Sequence, residues 1–218
     1  MSRKRGPNNT HVVLAGDSIF DNDAYVPGEP GVLRQLKATL PEGWSASKVA
    51  VDGDCIDDVG RQLRNVPFGR NHIVVSVGGN DVYAHIDLLT EVRSIADLAE
   101  AVKGPLEGFR ADYRAMLDLV TGGDADVTVC TIYTAIPFPD ERLRTLTPHA
   151  IGHFNAIILE EAAARGVPVL RLDELLTDAA DYSAASPIEP SVQGGAKIAH
   201  AIAAHVVGRV ERSTALPA

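Results

Sequence analysis

The sequence predicts a three-layer α/β/α sandwich around a five-stranded parallel sheet. Three observations predict it. Short apolar runs alternate with longer amphipathic runs five times along the 218 residues, the pattern of strand–helix units that make parallel sheets. The third apolar run, His72–Val77 (HIVVSV), is apolar at almost every position, as strands covered on both faces are. Gly, Asp and Asn collect where the first three runs end, which marks sharp strand-to-loop turns.

The elements follow in order. His11–Ala15 reads as the first strand and Val32–Leu40 as the helix after it. Ala46–Val51 is the second strand, followed by a helix over Asp57–Val66. After the third strand, Asp97–Val120 is a long helical region with a break expected near Gly104-Pro105, since proline and glycine interrupt helices. Asp126–Tyr133 (DVTVCTIY) is the fourth strand, and Pro148–Arg165 is a helix that Gly166 terminates. Val167–Leu172 is the fifth strand, and Ser191–Arg212 the last helix, with Ser191 placed to cap it. No internal repeat or linker is visible. Residues 1–10, with the basic triplet Arg3-Lys4-Arg5, read as a flexible tail, and residues 11–213 as one domain.

Composition narrows the function. A formal net charge of −9 disfavours a nucleic-acid backbone as partner. The apolar stretch after the basic tail, His11–Ala15, is too short for a secretory h-region or a membrane span, so a cytoplasmic protein is expected. Cys55 and Cys130 form no Cys-x-x-Cys pair and read as thiols of a reducing compartment. His149 and His153 stand four apart on a helix but lack a third ligand, so no metal and no cofactor is expected.

Ligands of open parallel sheets bind outside the carboxyl ends of the strands. The first strand runs into Gly16-Asp17-Ser18, the second into Asp52-Gly53-Asp54, and the third into Gly78-Gly79-Asn80-Asp81. Ser18 there is a candidate nucleophile. Its own N–H, the N–H of Gly53 and the side-chain amide of Asn80 are three donors able to hold an oxyanion. That set describes acyl transfer through a serine ester. Asp17 and Asp81 are placed to brace the turns beside Ser18 and Asn80. Asp21, Asn22, Asp52 and Asp54 add acidic and polar groups that disfavour a strongly anionic substrate. Tyr25 and Tyr83 flank the mouth. The loop Thr134–Pro139, with Ile136 and Phe138, is placed to wall an acyl pocket.

These blocks resemble the SGNH, or GDSL-type, hydrolases. Gly16-Asp17-Ser18 matches the nucleophile block, Gly53 the glycine of the second, and Gly78-Gly79-Asn80-Asp81 the Gly-x-Asn-Asp of the third. The resemblance implies a flavodoxin-like fold, hydrolysis of small-molecule esters or acylated substrates, Ser18 as nucleophile, and Ser18, Gly53 and Asn80 as the oxyanion hole. The Gly-x-Ser-x-Gly elbow of the α/β-hydrolases is absent. The last family block, Asp-x-x-His-Pro, is replaced by Ser186-Pro187-Ile188-Glu189-Pro190. Glu189 stands where the family keeps its base, and Ser186 where it keeps the orienting carboxylate. Three readings follow. Glu189 is itself the base, with activity persisting at acidic pH. His85, five residues after Asn80, or less favourably His200, serves instead. Or catalysis is lost and the scaffold binds a ligand silently.

Overall fold

The computed structural model describes residues 10–69, 72–92 and 94–215. The tail expected over residues 1–10 lies outside them except for Thr10, which is buried and whose carbonyl accepts from the Ser45 N–H at 3.1 Å. Five strands, β1 (His11–Gly16), β2 (Ser45–Lys48), β3 (His72–Ser76), β4 (Asp126–Cys130) and β5 (Val169–Leu170), form one parallel sheet in the order β2-β1-β3-β4-β5. The helices are α1 (Val32–Thr39), α2 (Val59–Leu63), α3 (Gly79–Tyr83), α4 (Leu88–Glu91), α5 (Ile95–Ala101), α6 (Lys103–Thr121), α7 (Glu141–Ala164), α8 (Leu172–Leu175) and α9 (Val192–Ala215).

The sheet is buried on both faces, and its side chains alternate between two cores. Val12, Leu14 and Val74 pack with Leu36 of α1 and Ile198, Ile202 and Val206 of α9. Val13, Ala15, Ile73 and Val75 pack with Tyr113 and Leu117 of α6 and Phe154 and Ile158 of α7. A smaller cluster of Leu89, Val92, Leu98, Val102, Leu146 and Ala150 joins α4 and α5 to the first half of α7.

Strand order reverses between β1 and β3, since the chain moves to β2 on one side and to β3 on the other. That reversal opens a crevice at the carboxyl ends. The register pairs Gly16 with Ser76, so the loops carrying Ser18 and Asn80 leave the sheet side by side.

Several elements differ in extent from the sequence reading. The helix expected from Pro148 starts at Glu141, because the Asp140 carboxylate caps it by accepting from the Leu143 N–H at 3.0 Å. Pro148 therefore lies inside α7. The long helical region divides at Val102 instead of at Gly104-Pro105. Pro105 falls in the first turn of α6, where a missing N–H breaks no helical bond. Ser191 caps α9, its hydroxyl accepting from the Gly194 N–H at 3.1 Å. His205 of α9 is half-buried, with its Nε2 3.1 Å from the Thr128 hydroxyl. The same hydroxyl lies 2.8 Å from Nε2 of His72, a ring that burial pushes down to about 4.

Candidate active site

Ser18 is placed by the turn that ends β1. Gly16 has φ +123°, and a Cβ there would lie 1.7 Å from the Ser76 carbonyl oxygen. Only glycine lets the two backbones come so close. The Asp17 N–H donates to that same carbonyl at 3.0 Å. Asp17 Oδ1 accepts from the Ile19 N–H at 3.1 Å, an Asx turn that presents the intervening Ser18. Gln62 clamps the turn from α2: its side chain accepts from the Gly16 N–H and donates to the Gly16 carbonyl, both at 2.7 Å.

The neighbouring loops are tied to each other. The Asn80 amide donates to the Asp54 carbonyl at 2.9 Å, using one of its two hydrogens. The Asp81 carboxylate accepts from the Ile56 N–H at 3.2 Å. The backbone N–H groups of Ser18 and Gly53 have no hydrogen-bond partner among the described residues.

Glu189 comes from the other end of the chain. Its N–H donates to the Ser186 carbonyl at 3.2 Å, and its carbonyl accepts from the Ser183 N–H at 2.8 Å. The Tyr133 hydroxyl donates to the Ile188 carbonyl, and the Asn22 amide to that of Pro190 at 3.3 Å. Below this loop α9 packs so tightly that a Cβ on Gly194 would lie 2.1 Å from the Asp181 carbonyl oxygen. The result is a direct contact: the Ser18 hydroxyl donates to Glu189 Oε1 at 2.9 Å.

Both carboxyls beside Ser18 are buried, at 3% exposure each for Asp17 and Glu189. Burial raises Glu189 to about 7, the bond from Ser18 opposes the rise, and the charge of Asp52 adds to it. Burial raises Asp17 to about 8, with Glu189 and Asp81 adding and the Ile19 N–H opposing. Below about pH 7 both carboxyls are predominantly neutral.

A cavity of about 90 Å³ opens beside the serine. Asp17, Ser18, Asn80 and Glu189 stand on its wall, with Ile136 and Phe138 from the loop after β4. Most of the lining is apolar, supplied by Leu89 of α4, Val102 between α5 and α6, and Ala150, Ile151 and Phe154 of α7. His85 and Tyr83 also line it, but both are exposed, and the His85 ring has no hydrogen-bond partner among the described residues. Gly53 is exposed and stands outside the lining. Ser186 makes no side-chain bond to Glu189, and His200 lies along α9 with its ring nitrogen against the Ala196 carbonyl.

A serine at the end of β1, an asparagine at the end of β3 and an acyl-sized apolar cavity are the features on which known proteins can be compared. Residues 14–197 match the GDSL-like lipase/acylhydrolase family. The chain belongs to that family. No curated protein matches it. Among solved structures it is similar to a lipase from a goat rumen metagenome, with a TM-score of 0.70 at 19% identity over 93% of this chain and 100% of that one. An extracellular lipase from Streptomyces rimosus gives 0.66 at 17% identity, covering 91% and 99%. A carbohydrate acetylesterase from Sinorhizobium meliloti gives 0.63 at 14%, covering 92% and 100%. At these identities the likeness is one of fold, and the GDSL-like family membership supports a hydrolase of the esterase or lipase type.

Within this GDSL-like site the structure brings together Ser18, Asp17, Asn80, Glu189, Ile136 and Phe138. It leaves Gly53 and His85 nearby but unbonded to Ser18. Gln62, Tyr133 and Asn155 were not visible as site residues in the sequence. Each is a polar side chain that bonds to backbone, such as Asn155, which both accepts from the Ile132 N–H and donates to its carbonyl. No motif spacing announces such a role. Among the described residues no cluster of His, Cys, Asp and Glu could hold a metal ion, and no helix is long and apolar enough to cross a membrane.

Proposed function

We propose that this protein is a serine esterase in which a carboxylate replaces the family histidine. The observation that carries the reading is the 2.9 Å bond from the Ser18 hydroxyl to Glu189. As Ser18 Oγ attacks the ester carbonyl carbon, its proton passes to Glu189. The carbonyl oxygen takes the negative charge and is held by the Ser18 and Gly53 N–H groups and the Asn80 amide. Collapse breaks the bond to the alcohol, and protonated Glu189 returns the proton to the departing alkoxide. Water then attacks the Ser18 acyl ester and gives a proton to Glu189, which returns it to Ser18 Oγ as the acyl–oxygen bond breaks and the acid leaves.

A carboxylate of ordinary pKa is a weak base for such a step. A general base works best when its pKa lies near the working pH, and burial brings Glu189 to about 7. This reverses the expectation of activity persisting at acidic pH: a base that titrates near 7 is lost below it, so turnover falls as pH drops. The substrate is a small-molecule ester or acylated compound whose acyl chain enters the apolar cavity. We place the protein in the cytoplasm, as one domain over residues 11–213.

The test is labelling with a fluorophosphonate probe, with Ser18→Ala as control. A covalent label on Ser18 that is absent from Ser18→Ala is expected. An unlabelled Ser18 from pH 5 to pH 9 would sink the esterase reading and leave a silent ligand-binding protein on the same scaffold.

A further inference from the structure

Among the polar groups that line the cavity and that the proposed chemistry does not use, one is buried without a hydrogen-bond partner among the described residues. Thr147 stands on α7 on the same face as Ala150, Ile151 and Phe154, and all four line the cavity. Its residue is 6% exposed, and its hydroxyl oxygen is buried without a hydrogen-bond partner. Only two other buried side-chain atoms among the described residues share that condition, and one is Glu189 Oε2 on the same cavity wall.

A helical threonine has an easy remedy, because its hydroxyl can donate to the carbonyl four residues back. Thr39, Thr121 and Thr145 do so, to Gln35, Leu117 and Glu141 at 2.9, 2.7 and 2.9 Å. Thr147 does not. Leaving a buried hydroxyl unpaired is costly, and valine has nearly the same shape without that cost.

The placement of Thr147 also says which part of a substrate it meets. Asn155 and Phe154 pack at the carboxyl end of β4, near the level where Ser18 leaves β1. Thr147 lies seven residues earlier, roughly 10 Å along the helix axis at 1.5 Å per residue. It therefore faces the body of an acyl chain and not its carbonyl.

We propose that Thr147 is a specificity-determining residue that selects acyl chains bearing a hydroxyl or oxo group away from the ester carbonyl. Turned about χ1 toward the cavity, the hydroxyl can donate to an oxo oxygen or exchange a bond with a hydroxyl, and the surrounding apolar wall holds the methylenes on either side. A chain without that oxygen leaves Thr147 unpaired, and discrimination of this kind follows from the unpaired group on the protein. The inference rests on the esterase reading for its catalytic form, but the binding it describes does not require turnover.

The experiment has two arms. In the first, kcat/KM is measured for nitrophenyl esters of medium-length acids, unsubstituted or hydroxylated at successive positions. The wild-type protein is expected to favour at least one hydroxylated chain by about fivefold, the worth of one ordinary hydrogen bond. Thr147→Val brings that ratio to about one, and Thr147→Ser keeps it. A wild-type protein indifferent to hydroxylation, or a preference that survives in Thr147→Val, overturns the proposal. In the second arm, calorimetry compares binding of neutral fatty amides, with and without the hydroxyl, to Ser18→Ala protein and to its Thr147→Val derivative. If no ester is hydrolysed but the amides show the preference and its loss, the esterase reading fails and the role of Thr147 stands. If esters are hydrolysed and neither arm shows the preference, the esterase reading stands and this one falls.

Discussion

Ser18 and Glu189, 171 positions apart in the chain, meet in a buried hydrogen bond of 2.9 Å between hydroxyl and carboxylate. The serine is delivered by the turn after β1, and the glutamate by the loop before α9. Each loop is pinned by other elements, so the contact is a property of the whole fold.

The first prediction concerns that contact. If Glu189 is the base, kcat/KM rises with pH through a midpoint near 7, where burial places the carboxyl, and flattens above it. Glu189→Gln lowers kcat on the order of 10²–10³-fold, the range of a lost general base, without restoring activity at any pH. A pH–rate profile from 5 to 9 on both proteins checks this. A Glu189→Gln enzyme of near wild-type rate removes the residue from the mechanism.

The same burial predicts a stability effect. The folded state holds Glu189 up to about 7 and Asp17 up to about 8. Both values exceed those of the unfolded chain, so the folded state binds more protons between about pH 4 and pH 8. The stabilisation is complete below the unfolded pKa values and is lost as pH rises through the folded ones. Glu189→Gln and Asp17→Asn should each exceed the wild type in stability at pH 9, by on the order of 2 kcal/mol. The advantage should vanish near pH 4. Urea unfolding at the two pH values measures it, and an advantage equal at both would contradict the raised pKa values.

Gly194 is predicted to be intolerant for a reason of space. A methyl group there would lie 2.1 Å from the Asp181 carbonyl oxygen. Gly194→Ala must push α9 away from the segment Asp181–Ser183, whose Asp181 carbonyl accepts from the Ser191 N–H and whose Ser183 N–H donates to the Glu189 carbonyl. We expect a loss of about 2 kcal/mol or more from such overpacking and a drop in turnover as Glu189 shifts. Gly152→Ala, on the exposed face of α7 where a Cβ meets nothing within 4 Å, should instead gain a few tenths to 1 kcal/mol from helix propensity. Thermal unfolding of the two variants separates them.

The acyl cavity can be narrowed from its wall. Ala150 is buried at 5% exposure and lines the cavity. Ala150→Leu places three more carbons into it and should cut the ratio of octanoyl to acetyl ester turnover by about tenfold. An unchanged ratio would show that the chain lies elsewhere.

Much of the fold was legible before the structure. The five runs located the five strands, and the central β1 and β3 are apolar because strands covered on both faces must be, whereas the edge strand β2 covers only Ser45–Lys48 of the expected Ala46–Val51 region. Boundaries were less legible. Pro148 looked like a helix start, and only the cap supplied by Asp140 shows that α7 begins seven residues earlier. Glu189 was legible as a substitution at a family position, but its burial and its bond to Ser18 were not. Gln62 and Thr147 left no pattern at all, since their partners lie far along the chain or are missing.

The sequence by itself determined the layered architecture, the three strand-end blocks and their family. These depend on local composition and on the order of short motifs, which the chain states directly. The tertiary structure decided which carboxyl touches the serine, how far burial raises it, and which helix walls the acyl chain. Those properties arise from desolvation and from contacts between segments up to 171 residues apart, and no local run of residues encodes them.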